Sequence, residues 1–211
     1  MERRRLILST GNLHKVREIK DILKDLPIEV ISKDELGFKD FDIEEYGKTL
    51  EENAIIKARA LWEKVDGMVM ADDTGLFVDY LNGEPGINSA RYSGPDGNSE
   101  RNIAKLLDRL KGVPMEKRTA TFITVIALIT EDGETITVRG ECKGHIGFEK
   151  KGGSGFGYDP LFIVEGYGRT FAELGEEIKN TISHRAKALY NIRNEIINIL
   201  EDGKDENTGN K

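Results

Sequence analysis

The chain has 211 residues, 38% hydrophobic and 33% charged, an ordinary globular composition with enough apolar surface to bury a core unaided. A formal net charge of −7 argues against holding long nucleic acid through the overall field, although a local basic pocket is compatible with it. A lone cysteine, Cys142, excludes an intrachain disulfide and suits a reducing cytosol, and no apolar run approaches a membrane span. Behind the basic Met1–Arg5, the stretch Leu6–Leu8 is far too short for a signal peptide.

Arg5–Ser9 reads as a first strand, and Leu13–Leu26 as a helix with Leu13, Val16, Ile19, Leu23 and Leu26 on one stripe. Between them, Thr10-Gly11-Asn12-Leu13-His14-Lys15 sets a tight turn and a lysine at a helix N-terminus. Exposed N–H groups, the helix dipole and Lys15 suit an anion there. The glycine spacing is not that of a Walker loop, so on these residues alone an ordinary strand–helix connection is favoured. His14 reads as a surface residue.

Ile28–Ile31 is a short strand, and the acidic stretch Asp40–Gly47 after it reads plainly as a solvated loop. Thr49–Val65 is a helix with Leu50, Ala54, Ala58, Leu61 and Val65 along its seam; Asn53 and Lys57, four apart, share a face and read by default as a surface pair. Met68–Gly75 is Met-Val-Met-Ala-Asp-Asp-Thr-Gly. Its four apolar residues suit a strand covered on both faces. Asp72 and Asp73 are then expected where that strand leaves the core, the edge at which open α/β sheets bind ligands. Adjacent carboxylates there suit a hard, oxygen-ligated cation such as Mg²⁺, with one Asp to orient or deprotonate water. A solvated Asp-Asp turn is an equal reading of the same residues.

Leu76–Leu81 is expected as another strand or a short helical turn, and Asn82–Pro95 as a loop in which Arg91 and Tyr92 either face a ligand or pin the chain. Asn98–Lys111 is an amphipathic helix. Thr119–Thr130 and Glu134–His145, joined by Glu131-Asp132-Gly133, form a long hairpin, able to carry a second lobe or a dimer contact. In Lys151–Pro160, four glycines in the six residues 152–157 allow close backbone approach to a flat or anionic ligand. Phe156 and Tyr158 suit stacking on a base and Asp159 suits hydrogen bonds from it, against the rival reading of a flexible loop with buried aromatics. This is not a dinucleotide fingerprint, because Tyr158 stands where the third glycine belongs and Pro160 and a strand, Leu161–Val164, follow. Ser183 is a good N-cap for a last helix, Arg185–Leu200, which leaves His184 and Arg185 at an N-terminus where a cation calls for an anion or polar ligand.

Together these are the parts a nucleoside triphosphate hydrolase needs. Thr10-Gly11-Asn12 with Lys15, Glu44-Glu45 ahead of Glu52-Asn53-Ala54, Ala71–Gly75, Pro85-Gly86 with Ser89–Gly94, Gly152–Pro160 and Ser183-His184-Arg185 occur in that order. From roughly Leu6 to Leu200 the chain closely resembles the inosine triphosphate pyrophosphatase family. The resemblance implies an α/β fold, a long central mixed sheet flanked by helices, in two lobes with an active-site cleft between them. Residues 1–200 would form that one domain and 201–211 a polar tail. It further implies Mg²⁺-dependent hydrolysis of aberrant purine nucleoside triphosphates (dITP, ITP, XTP) to the monophosphate and pyrophosphate, in a cytoplasmic homodimer that uses neither nucleic acid polymer nor membrane.

By position, Asp73 resembles the family's catalytic base and metal-linked carboxylate, Asp72 a supporting carboxylate and Glu44 a Mg²⁺ ligand. Thr10, Gly11, Asn12, Leu13, His14 and Lys15, with Lys57, would hold the triphosphate, and Thr74 would contact substrate. Phe156 would stack on the purine, with Gly157, Tyr158 and Asp159 as pocket wall. Lys179, His184 and Arg185 would read the base edge in favour of an oxygen at purine position 6. Donors aimed at that oxygen would be stranded against adenine's amino group, at about 1–3 kcal/mol each. The alternatives are a related pyrophosphatase for pyrimidine or modified triphosphates, disfavoured by the Ser-His-Arg and Gly-Phe-Gly-Tyr-Asp segments, and a nucleotide-binding module without catalysis, disfavoured by intact Asp73 and Lys15.

Overall fold

The computed structural model describes residues 3–41 and 43–208. Its strands form a seven-stranded sheet in the order β2-β1-β3-β5-β6-β7, with β4 paired to β3 off that path; the strands are β1 (Arg4–Leu8), β2 (Ile28–Ser32), β3 (Met68–Val78), β4 (Pro85–Gly86), β5 (Thr119–Ile129), β6 (Thr135–Ile146) and β7 (Phe162–Val164). Five helices accompany them: α1 (Leu13–Leu23), α2 (Leu50–Trp62), α3 (Ser99–Arg109), α4 (Phe171–Ile182) and α5 (His184–Thr208). The chain divides into two compact units, one of Met1–Asp73, Val125–Arg139 and Ala188–Lys211, the other of Thr74–Thr124 and Gly140–Lys187.

In the first unit β1 runs parallel to β2 and to the start of β3, with Leu6 opposite Met68 and Leu8 opposite Met70. Parallel strands buried on both faces explain the unbroken apolar runs of β1 and of Met68–Ala71. Side chains alternate across a strand. Leu6, Leu8, Met68 and Met70 therefore join Val16 and Ile19 of α1 and Leu189 and Ile192 of α5 in one core cluster. Ile7, Val69 and Ala71, of opposite parity, point to the other face.

In the second unit β3 continues and pairs antiparallel with β4, Leu76 opposite Gly86. The approach demands glycine: a Cβ on Gly75 would lie 2.6 Å from the Gly86 carbonyl oxygen. β6 pairs antiparallel with β7, and Phe122, Phe162 and Phe171 build an aromatic centre with Leu76, Leu106 and Leu110 around them.

Several boundaries differ from the sequence reading. β3 does not stop at Ala71; it carries Asp72 and Asp73 in mid-strand and continues to Val78, so Leu76–Leu81 is the end of that strand and a 3₁₀ turn (Asp79–Leu81). Leu13 does not join the apolar stripe of α1, being 67% exposed at its first position, and the helix ends at Leu23. The last helix begins at His184, capped by Ser183, whose Oγ accepts from Ala186 N at 3.1 Å, and runs through Thr208; Gly209, Asn210 and Lys211 lie outside the described residues. Helix α4 had no counterpart in the sequence reading. Its start is a capping box in which Thr170 and Glu173 satisfy each other's backbone N–H groups, and Gly175, at φ 80°, kinks it.

Candidate active site

The first unit gathers charges around the Asp-Asp pair. Adjacent strand residues face opposite ways, so Asp72 and Asp73 meet different helices. Lys15, in the first turn of α1, donates to Asp72 Oδ2 at 2.7 Å. Lys57 of α2 donates to Asp73 Oδ1 at 2.8 Å, and its Nζ lies 3.1 Å from Glu45 Oε1. Asn53, one turn earlier on α2, donates to Asp73 Oδ2 at 3.3 Å. Both oxygens of Asp73 are thus engaged.

Burial is the largest influence on each member of the Asp73–Lys57 pair. It raises the Asp73 pKa, and the lowering by Lys57 and Asn53 does not cancel it. For Lys57 burial works against the charge, but the carboxylates of Asp73, Asp72 and Glu45 together outweigh it and raise its pKa. Asp73 is therefore a better proton acceptor than a solvated aspartate.

The turn before α1 is organised by its own side chains. Asn12 caps the helix, its Oδ1 accepting from His14 N at 3.0 Å and Lys15 N at 3.3 Å, while Thr10 Oγ1 accepts from Asn12 N at 3.2 Å. Gly11, Asn12, Leu13 and His14 are exposed. On the acidic loop, Glu44 is exposed and lines a groove of about 450 Å³ with Phe41, Ile43, Tyr46, Ile55 and Ile56. Its neighbour Glu45, to which sequence reading gave no role, is the loop carboxylate that meets Lys57. Asp42 lies outside the described residues.

Among the described residues no three His, Cys, Asp or Glu side chains group closely enough to hold a metal ion by themselves. The donors are nonetheless all hard carboxylate oxygens. Mg²⁺ commonly takes only one or two carboxylates, completing its shell with water and substrate phosphate. The two lysines here are already matched to three carboxylates, Asp72, Asp73 and Glu45. A polyphosphate placed beside them would need a further cation, so this donor set fits Mg²⁺.

The second unit carries the Gly-rich loop. Asp159 Oδ2 accepts from Lys179 Nζ at 2.6 Å and from Phe156 N at 2.8 Å. Gly155 makes that possible: its φ is +80°, and a Cβ there would lie 2.2 Å from Asp159 Oδ2. Gly157, at φ 58°, needs the same freedom. Lys179 Nζ sits 4.4 Å from the Phe156 ring centre and the Arg185 guanidinium carbon 5.6 Å from it, both within cation–π range. Lys179, His184 and Arg185 are buried, whereas Phe156 is 44% exposed. His184 stacks on Phe122 with ring centres 4.6 Å apart and planes at 10°.

The structure therefore brings Phe156, Asp159, Lys179 and Arg185 together, with His184 on the aromatic centre beneath. Tyr158 is a pillar of the loop: it is buried and donates to the Ser89 carbonyl at 2.9 Å, and burial raises its phenol pKa. Thr74 Oγ1 shares a hydrogen bond of 2.8 Å with Thr124 Oγ1. Asn53 and Glu45 are the residues that sequence reading missed. The helical register of Asn53 with Lys57 was visible, but nothing in the spacing said that this face looks onto Asp73.

Fold and chemistry together define an α/β protein bearing an acidic, lysine-laced cluster and a cation-backed aromatic. The Ham1 family pattern matches residues 6–195, and the chain belongs to that family. It is 52% identical over 198 residues to the dITP/XTP pyrophosphatase of Thermoanaerobacter sp. (strain X514), covering 94% of this chain and 99% of that relative. It is 49% identical over 183 residues to the dITP/XTP pyrophosphatase of Bacillus subtilis (strain 168), covering 87% and 92%. Among solved structures the Staphylococcus aureus Ham1 protein superposes with a TM-score of 0.85 at 41% identity, over 92% of this chain and 99% of that one.

Proposed function

We propose that this protein hydrolyses aberrant purine nucleoside triphosphates, dITP, ITP and XTP, to the nucleoside monophosphate and pyrophosphate. The observation that carries this is the near-full-length identity of about half to relatives named dITP/XTP pyrophosphatase. The two side-chain clusters supply what such a reaction requires.

Water attacks the α-phosphorus, the bond from that phosphorus to the oxygen bridging to the β-phosphate breaks, and pyrophosphate leaves. Asp73 accepts the proton that the water loses, the role the family resemblance implies for it. Asp72 holds Lys15, and Lys57 is held between Asp73 and Glu45, so both cations are fixed in advance for the triphosphate carried at the Thr10–Lys15 turn. Mg²⁺, held by Asp73 with a carboxylate of the acidic loop, Glu44 or Glu45, would neutralise phosphate charge and lower the pKa of bound water. Phe156 stacks on the purine, backed by Lys179 and Arg185. Those two cations, with His184, offer donors to a 6-oxo group, while Gly157, Tyr158 and Asp159 wall the pocket and Thr74 meets the substrate.

Among the described residues no helix is long and apolar enough to cross a membrane. A cytoplasmic homodimer, implied by the family resemblance, completes the proposal, and sedimentation should read about twice the 23.6 kDa chain mass. The functional test is pyrophosphate release from dITP, XTP, dATP, dGTP and dTTP with Mg²⁺ and after chelation. dITP and XTP should turn over fastest, and chelation should abolish turnover until Mg²⁺ is restored. Faster hydrolysis of dTTP would replace this reading with a pyrimidine enzyme, and nucleotide binding without any release would make the protein a binding module.

A further inference from the structure

We infer that Asn53 is a positioning residue that latches the acidic loop to the carboxylate of Asp73. The inference rests on the proposed role of Asp73 as proton acceptor. Asn53 is 3% exposed, and both ends of its amide are used inside the first unit. Its Oδ1 accepts from the backbone N–H of Gly47 at 2.8 Å, and its Nδ2 donates to Asp73 Oδ2 at 3.3 Å. The amide can lie only one way round, because the backbone N–H needs an acceptor and the carboxylate a donor.

The loop side is built for the same contact. A Cβ on Gly47 would lie 2.5 Å from Asn53 Oδ1, 2.8 Å from Glu52 Cβ and 2.9 Å from Asn53 N, so only glycine lets the chain come this close. Two residues before Gly47, Glu45 reaches Lys57, which holds the other oxygen of Asp73. The loop is therefore tied to one carboxylate at two points: through Asn53 to Oδ2 and through Lys57 to Oδ1. Such a latch fixes the rotamer of Asp73 and sets Glu45 against Lys57 before substrate arrives. Its effect belongs in kcat more than in KM.

Three variants separate this role from plain structural support. Asn53→Ala removes both bonds, Asn53→Asp keeps an acceptor for Gly47 N–H but gives Asp73 a like charge instead of a donor, and Gly47→Ala opens the latch from the loop side. Amide exchange at position 47 in the substrate-free protein and kcat and KM on dITP are measured for each, with thermal unfolding as a check on folding. Asn53→Ala should speed Gly47 exchange by about three- to tenfold, the worth of one hydrogen bond, whereas Asn53→Asp should leave it near wild type. All three should lower kcat with KM changed less, and Gly47→Ala combined with Asn53→Ala should fall short of additivity. Unchanged Gly47 exchange in Asn53→Ala would overturn the inference, as would wild-type kcat with the latch open. If Asn53→Ala fails to fold, the Asn53→Asp and Gly47→Ala arms decide. A wild type that releases no pyrophosphate would refute the functional reading instead, and the exchange data alone would then judge the latch.

Discussion

At the scale of single residues, placement matters more than residue type. Asp72 and Asp73 are chemically identical neighbours, yet strand alternation hands one to Lys15 and the other to Lys57 and Asn53. For Asp73, burial raises the pKa. In the second unit, Asp159 and Lys179 form an ion pair whose side chains are 4% and 6% exposed. Removing one partner of such a pair strands the other charge, at roughly 3–5 kcal/mol. Asp159→Asn should therefore lose stability on that scale in chemical denaturation, because it removes the charge that faces Lys179 while keeping an oxygen able to accept from Phe156 N. A loss under about 1 kcal/mol, the range of exposed pairs, would show that the charge on Lys179 is solvated or compensated elsewhere.

Elements follow from the sequence where one pattern governs them and fail where two compete. Strands β1 and β2 and the β5–β6 hairpin are legible because β1 and β5 carry apolar runs, β2 and the start of β6 are rich in β-branched residues, and Glu131-Asp132-Gly133 marks the turn. β3 is misjudged because two carboxylates look like the end of a strand, when lysines from two helices neutralise them inside it. Helix α4 escapes notice because Gly175 breaks its periodicity, although Thr170 and Glu173 spell a capping box in the sequence. The Gly-Phe-Gly-Tyr-Asp and Ser-His-Arg segments stand out in the sequence, and the structure brings Phe156, Asp159 and Arg185 of them together. That Lys179 pairs with Asp159 depends on α4, which was unseen.

One element carries a pH signature. Glu35, just after β2, accepts at Oε2 from Ser32 N and Ser32 Oγ, both at 2.7 Å, and from Lys20 at 3.1 Å. The Ser32 backbone N–H, the Ser32 hydroxyl and Lys20 lower its pKa from 4.5 to about 2. A carboxylate whose folded pKa is depressed adds stability that is present above 4.5 and lost as pH falls toward 2. Glu35→Gln should thus melt below wild type at pH 6, by a modest margin given the half-exposed side chain, and that gap should close on acidification to about pH 2. A gap independent of pH would mean that the contact acts by shape and not by charge.

For the whole molecule, the net charge of −7 belongs to a protein with an anionic substrate, so attraction must be local. Lys15 and Lys57 are already matched to Asp72, Asp73 and Glu45, so under the proposed function that attraction would come from the Mg²⁺ held beside them. The central claim is that Asp73 takes the proton from the attacking water. Its most direct test is single-turnover pyrophosphate release from dITP by wild type and Asp73→Asn, with dITP binding measured alongside. The expected result is a rate reduced by about 10²–10⁴-fold, the usual contribution of a general base, with binding largely kept. Release at the wild-type rate from Asp73→Asn would contradict it.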